Sequence, residues 1–246
     1  MPSQNCHALQ TNHGRLNATV VGPDSGAPFC PVCGLGESDG DEALPEDYFQ
    51  LPTDWSHDGR FIAYTNTSFA VNVELKGDVW LIDIARGRRV VHLIRTPFHE
   101  ANPAFSPDGR WLAFTSNESG RTEVYLQAFE AGESPRLVGE RHLVSKRGAV
   151  SIRWARDGKE LFYLAWDGRL YVVPIMLSLK PKIGEPAPLF SISLEARAAI
   201  HGVLGFDVSA DGQRLLVPVV TSSEKSEIVV MQNWEAALQR NRGKIN

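Results

Sequence analysis

Three cysteines in 246 residues, Cys6, Cys30 and Cys33, are an odd number crowded at one end, so they are no disulfide framework for the whole chain. No run approaches the roughly 18 consecutive apolar residues of a membrane-spanning helix. The opening MPSQNCHALQTNHGRLN lacks a basic stretch leading into an apolar one, so no secretory leader is read and a cytoplasmic location is expected. Neither sign of charge dominates: 25 Lys+Arg against 29 Asp+Glu leave a net −4, which argues against general nucleic-acid binding. No catalytic H-R-D or D-F-G of a kinase is present. What remains is ordinary for a globular chain, 43% hydrophobic and 22% charged.

Two compositions share this chain. Residues 1–53 carry seven acids and one base, Arg15, and are rich in Pro, Gly, Ser and Asn; all six Trp lie beyond them. Residues 1–51 therefore read as an acidic, mostly irregular segment, and residues 52–246 as a packed domain.

The packed domain repeats. Asp54-Trp-Ser-His-Asp-Gly-Arg-Phe-Ile-Ala-Tyr64 returns as Ala104-Phe-Ser-Pro-Asp-Gly-Arg-Trp-Leu-Ala-Phe114 and as Arg153-Trp-Ala-Arg-Asp-Gly-Lys-Glu-Leu-Phe-Tyr163. A fourth copy is Phe206-Asp-Val-Ser-Ala-Asp-Gly-Gln-Arg-Leu-Leu-Val217. The turn aspartates Asp58, Asp108, Asp157 and Asp211 are 50, 49 and 54 residues apart, the period of a repeat architecture. Each Asp-Gly turn precedes a β-rich run: 61–65, 111–115, 161–164 and 215–220. Further runs follow at 78–84, 123–128, 170–175 and 227–232, and weaker ones at 90–94, 135–138 and 187–192. Four short antiparallel strands per ~50 residues is the arithmetic of a β-propeller blade. The expected fold is all-β, a propeller of four recognisable four-stranded blades, closed or incomplete, with a short C-terminal helix from Trp234 to Arg240.

The W-S-x-D-G-R-x-[IL]-A-[FY] run with Asp78-Val-Trp80 behind it, and its second copy with Glu123-Val-Tyr125, resemble the WD40-like repeat of TolB-type propellers. The resemblance covers residues 52–235. It is similar also to the last blades of propellers attached to bacterial serine/threonine kinases and winged-helix regulators. It implies a rigid frame whose loops sense or scaffold. The same repeat type covers prolyl-oligopeptidase-type peptidases.

Several constellations could carry chemistry. Cys30-Pro-Val-Cys33-Gly resembles a zinc knuckle, and Cys6 and His13 would complete four ligands for a structural zinc; the bland alternative is two thiols without a metal. The four turn aspartates could ring a divalent cation or simply bond their own turns. Ser222-Ser-Glu-Lys225 satisfies S-x-x-K, in which Lys takes the Ser proton, but falls between two strands. Ser106, His99 and Asp108 could form a nucleophile, base and orienting acid, with His201 as a further base, or be ordinary turn and loop residues. Arg136, Arg141, His142, Lys146 and Arg147 could meet a phosphate or acidic partner, or sit in a solvated interblade loop.

The reading favoured is a binding or scaffolding module for a protein, peptide or small-molecule ligand. It involves no nucleic acid and no membrane, requires no cofactor beyond the candidate zinc, and is open to homo-oligomerisation. The alternative is a carboxylesterase- or peptidase-type hydrolase working in the propeller channel.

Overall fold

The computed structural model describes residues 11–12, 15–16, 48–68, 76–192, 206–220 and 226–232. A short hairpin pairs β1 (Thr11–Asn12) with β2 (Arg15–Leu16). The rest are antiparallel sheets in chain order. The first blade is β3 (Tyr48–Trp55), β4 (Phe61–Ser68), β5 (Gly77–Asp83) and β6 (Arg89–Ile94). The second is β7 (Glu100–Phe105), β8 (Trp111–Ser116), β9 (Glu123–Glu130) and β10 (Arg136–Leu143). In the third, β11 (Ser151–Trp154), β12 (Glu160–Leu164) and β13 (Arg169–Met176) are followed by a split edge, β14 (Lys182–Ile183) and β15 (Ala187–Ser191). The fourth comprises β16 (Asp207–Val208), β17 (Arg214–Val220) and β18 (Ser226–Gln232). The first strands of consecutive blades touch, β3 to β7, β7 to β11 and β11 to β16. None of the helices among the described residues is long and apolar enough to cross a membrane.

The near-continuous apolar runs have a physical reason. Side chains alternate across a strand, so a strand packed on both faces needs apolar residues at every position. In β8, Trp111 and Ala113 join the cluster shared with the third blade, whereas Leu112 and Phe114 join the one shared with the first. In β12, Leu161 and Tyr163 turn to the second blade, and Phe162 and Leu164 to the fourth. Burying each such side chain contributes about 1.5–3 kcal/mol. The core is therefore a series of interblade layers.

Three expectations shift. The first blade begins at Tyr48, inside the segment read as irregular. The run expected at 135–138 extends to Leu143 as β10, because Gly139, at φ 70°, makes a bulge and lets the strand resume. Arg136, Arg141 and His142 thus stand on an edge strand and not in a loop; charges there discourage edge-to-edge pairing.

Candidate functional site

The repeated turn explains itself chemically. Ser106 Oγ donates to Asp108 Oδ1 at 2.6 Å and accepts from the Trp111 amide at 3.0 Å. Asp108 Oδ1 also accepts the Arg110 amide, at 3.1 Å. Ser56 and Asp58 repeat this with Phe61 and Arg60, as do Ser209 and Asp211 with Arg214 and Gln213. Gly109, at φ 67°, supplies the left-handed step that a side chain resists. The third repeat has Ala155 where the others have Ser, and keeps the bond from the Lys159 amide to Asp157 at 3.0 Å.

These bonds govern charge. Partial burial works against the Asp108 carboxylate, but the Ser106 hydroxyl and the Arg110 amide and guanidinium hold it below the usual carboxylate range. Asp58 is held low in the same way against its own partial burial, and Asp211 chiefly by Ser209. The four turn aspartates are engaged by their own turns, and among the described residues no group of three His, Cys, Asp or Glu could hold a metal ion.

The structure brings Ser106 and Asp108 together and leaves His99 apart. Ser106 is fully buried and both sides of its hydroxyl are engaged. His99 precedes β7 and Ser106 follows it, so the strand places them on the order of 20 Å apart. His99 donates its amide to Asn117 Oδ1 at 2.8 Å, and burial lowers its imidazole pKa against the pull of Asp78. The expected nucleophile–base pair does not assemble, because the strand between its members is extended. Ser222, Lys225, Cys6, His13, Cys30, Cys33, His201 and the expected helix 234–240 lie outside the described residues. So does Gly36-Glu37-Ser38-Asp39-Gly40, which has the G-x-S-x-G form of a nucleophile elbow. The basic cluster is largely committed: Arg136 pairs with Glu130 at 2.7 Å, Lys146 with Glu185 at 3.0 Å, and Arg141 with Glu118.

The constellation that sequence reasoning missed lies on the first strands. Asp54, Ala104, Arg153 and Asp207 each stand four residues before the turn aspartate, so one repeat position is charged in three blades. Asp54 Oδ2 accepts the Phe105 amide at 2.7 Å, across the first interblade boundary. Burial raises its carboxyl to about 6, opposed by the Phe105 and Trp55 amides and by Arg153, and assisted by Asp207. Arg153 Nη1 donates to the Ile152 carbonyl at 2.7 Å. Neighbouring contacts hold the strands in place: Thr53 Oγ1 donates to the Pro103 carbonyl at 2.8 Å, and Trp154 Nε1 to that of Ala104 at 3.3 Å. The signal was available, since aligning the four repeats on their Asp-Gly turns exposes the charged column.

A second missed hub is Glu100 at the opposite end of β7. Its buried carboxylate accepts from Thr96 Oγ1 at 2.7 Å and Ser116 Oγ at 3.0 Å, with Arg141 at 4.0 Å. Burial raises its pKa against those three partners. It ties the connection between the first two blades to β8.

No family model matches the chain. It is 29% identical to dipeptidyl-peptidase 5 of Porphyromonas gingivalis over 119 residues, covering 45% of this chain and 17% of that enzyme. TolB from Acinetobacter baumannii superposes with a TM-score of 0.50 at 18% identity, covering 75% of this chain and 40% of that one. The chain thus spans less than half the length of either protein. With the blade topology above, the likeness to TolB shows a TolB-like β-propeller fold.

Proposed function

We propose that the chain is a propeller binding module that offers the charged column of its first strands to a protein, peptide or small polar ligand. The observation that carries this reading is Asp54, partly buried and bonded across the first interblade boundary to the Phe105 amide, with a carboxyl raised to about 6 and the charges of Arg153 and Asp207 acting on it. An interior position is normally apolar, and a carboxyl whose burial outweighs the amides that bond it is unfavourable for folding and useful for recognition. Such a carboxyl accepts a hydrogen bond when ionised and donates one when protonated. Arg153 supplies a fork of donors for a carboxylate or carbonyl. A ligand with both an amine or amide N–H and a carbonyl matches this set.

Ester or peptide hydrolysis is the second reading, favoured by the local likeness to a dipeptidyl-peptidase. Labelling the folded chain with a fluorophosphonate probe and mapping the peptides separates the two. The binding reading expects no serine labelled stoichiometrically. Stoichiometric labelling of one serine, with its loss on substitution, overturns it in favour of a hydrolase and names the nucleophile. Retention of a partner by the immobilised chain, lost in Arg153→Ala and Asp207→Asn, is the positive counterpart.

A further inference from the structure

The third blade departs from its neighbours at its outer edge. β14 pairs with Ile175 and Met176 at one end of β13, while β15 pairs from Arg169 to Val172 at the other. β14 and the Asp-Gly turns of the second and third blades line an open crevice of about 680 Å³. That volume lies in the range of small-molecule sites, roughly 300–1,000 Å³. Its apolar lining includes Pro107, Ile175, Met176, Leu177 and Ile183. Met176 is 62% exposed, a flexible and polarisable side chain left on the surface.

The charges around the crevice are unequal in their freedom. Asp108 is bonded by Ser106 and by the amide and guanidinium of Arg110. Asp157 accepts the Lys159 amide and lies 3.5 Å from the Lys159 ammonium. That pair is exposed on both sides, so it holds Lys159 weakly. The Lys182 ammonium, on β14 itself, has no hydrogen-bond or ion-pair partner among the described residues. An apolar floor, anions already engaged and a free cation at the edge are complementary to one chemistry.

We propose that this crevice binds a compact carboxylate with an apolar body. Lys182 receives the carboxylate, Lys159 assists, and Met176, Leu177 and Ile183 cover the hydrocarbon. The site is separate from the charged first strands and does not depend on the reading proposed for them.

Calorimetric titration of the full chain with decanoate tests the proposal, with decanamide as the neutral counterpart. Saturable binding of one decanoate per chain is expected, about tenfold tighter than decanamide. Lys182→Glu, an exposed substitution, weakens decanoate by at least about tenfold and leaves the melting midpoint unchanged. Arg136→Glu, a charge-matched change on the β10 edge, leaves the affinity unchanged. Absence of saturable binding, equal affinity for decanoate and decanamide, or wild-type affinity in Lys182→Glu overturns the proposal. An equal loss in Lys182→Glu and Arg136→Glu does so too, since it reports general charge and not this site.

Discussion

β8 and β17 occupy the same place in their repeats and meet different surroundings. From Trp111 to Phe114 every β8 side chain is buried, because blades pack on both of its faces. In β17, Leu215 and Val217 are buried against the third blade, whereas Leu216 between them is 42% exposed. Both runs are apolar, so residue type alone does not decide burial. A propeller strand is written for two neighbours, and each face becomes core only where a neighbour stands.

Phe114→Ala breaks this comparison most severely. It opens a cavity between the first two blades and costs about 3–5 kcal/mol by denaturant unfolding. A cost below about 1 kcal/mol would mean that the interblade layer is not the core.

Asp54 and Asp108 extend the comparison to charge. The folded-state pKa of Asp54 is raised to about 6 from 3.8, so its ionised form is disfavoured in the folded chain. Its stabilisation is complete below the unfolded pKa and is lost as pH rises toward 6. Asp54→Asn keeps an oxygen for the Phe105 amide, matches the parent near pH 4 and gains on the order of 2 kcal/mol over it by pH 7. Asp108 is shifted the other way, so its stabilisation is present above the unfolded pKa and is lost as pH falls below it. Asp108→Asn is therefore less stable than the parent at pH 7, and the gap closes in acid. Unfolding series across pH read both signs, and parallel curves would refute the assignment.

The turns give a smaller contrast. Ser106→Ala strands the Trp111 amide in a buried site and costs about 1–2 kcal/mol. Ser209→Ala frees groups that water reaches and costs less. Equal losses would show that burial of the turn is irrelevant. The smallest effect is at Leu216, where Leu216→Ala stays within about 0.5 kcal/mol. A loss comparable to that of Phe114→Ala would reveal a covering layer on that face.

The blades were legible because turn chemistry and strand periodicity are local. Ser-x-Asp-Gly carries its own hydrogen bonds, so each turn announces itself wherever the sequence recurs. The longer reach of β10 was hidden because Gly139 reads as a breaker in sequence and acts as a bulge in the sheet. His99, Ser106 and Asp108 looked like neighbours on a chain seven to nine residues long. An extended strand turned that proximity in sequence into separation in space. The charged column was easy to overlook for the opposite reason: Asp54, Arg153 and Asp207 are far apart in sequence and line up only when the repeats are aligned on their turns.

The amino-acid sequence by itself determined the all-β class, the repeat length, the four Asp-Gly turns and the apolar strands that follow them. These rest on backbone conformational preference and on the two-residue alternation of a strand, which span a few residues. The tertiary structure alone decided which strand faces are core and that Asp54 is raised toward neutrality. It also decided that His99 and Ser106 do not meet and that β14 lines an open crevice between the second and third blades. Burial and electrostatics act through space, and their partners are set by blade stacking, about fifty residues away along the chain.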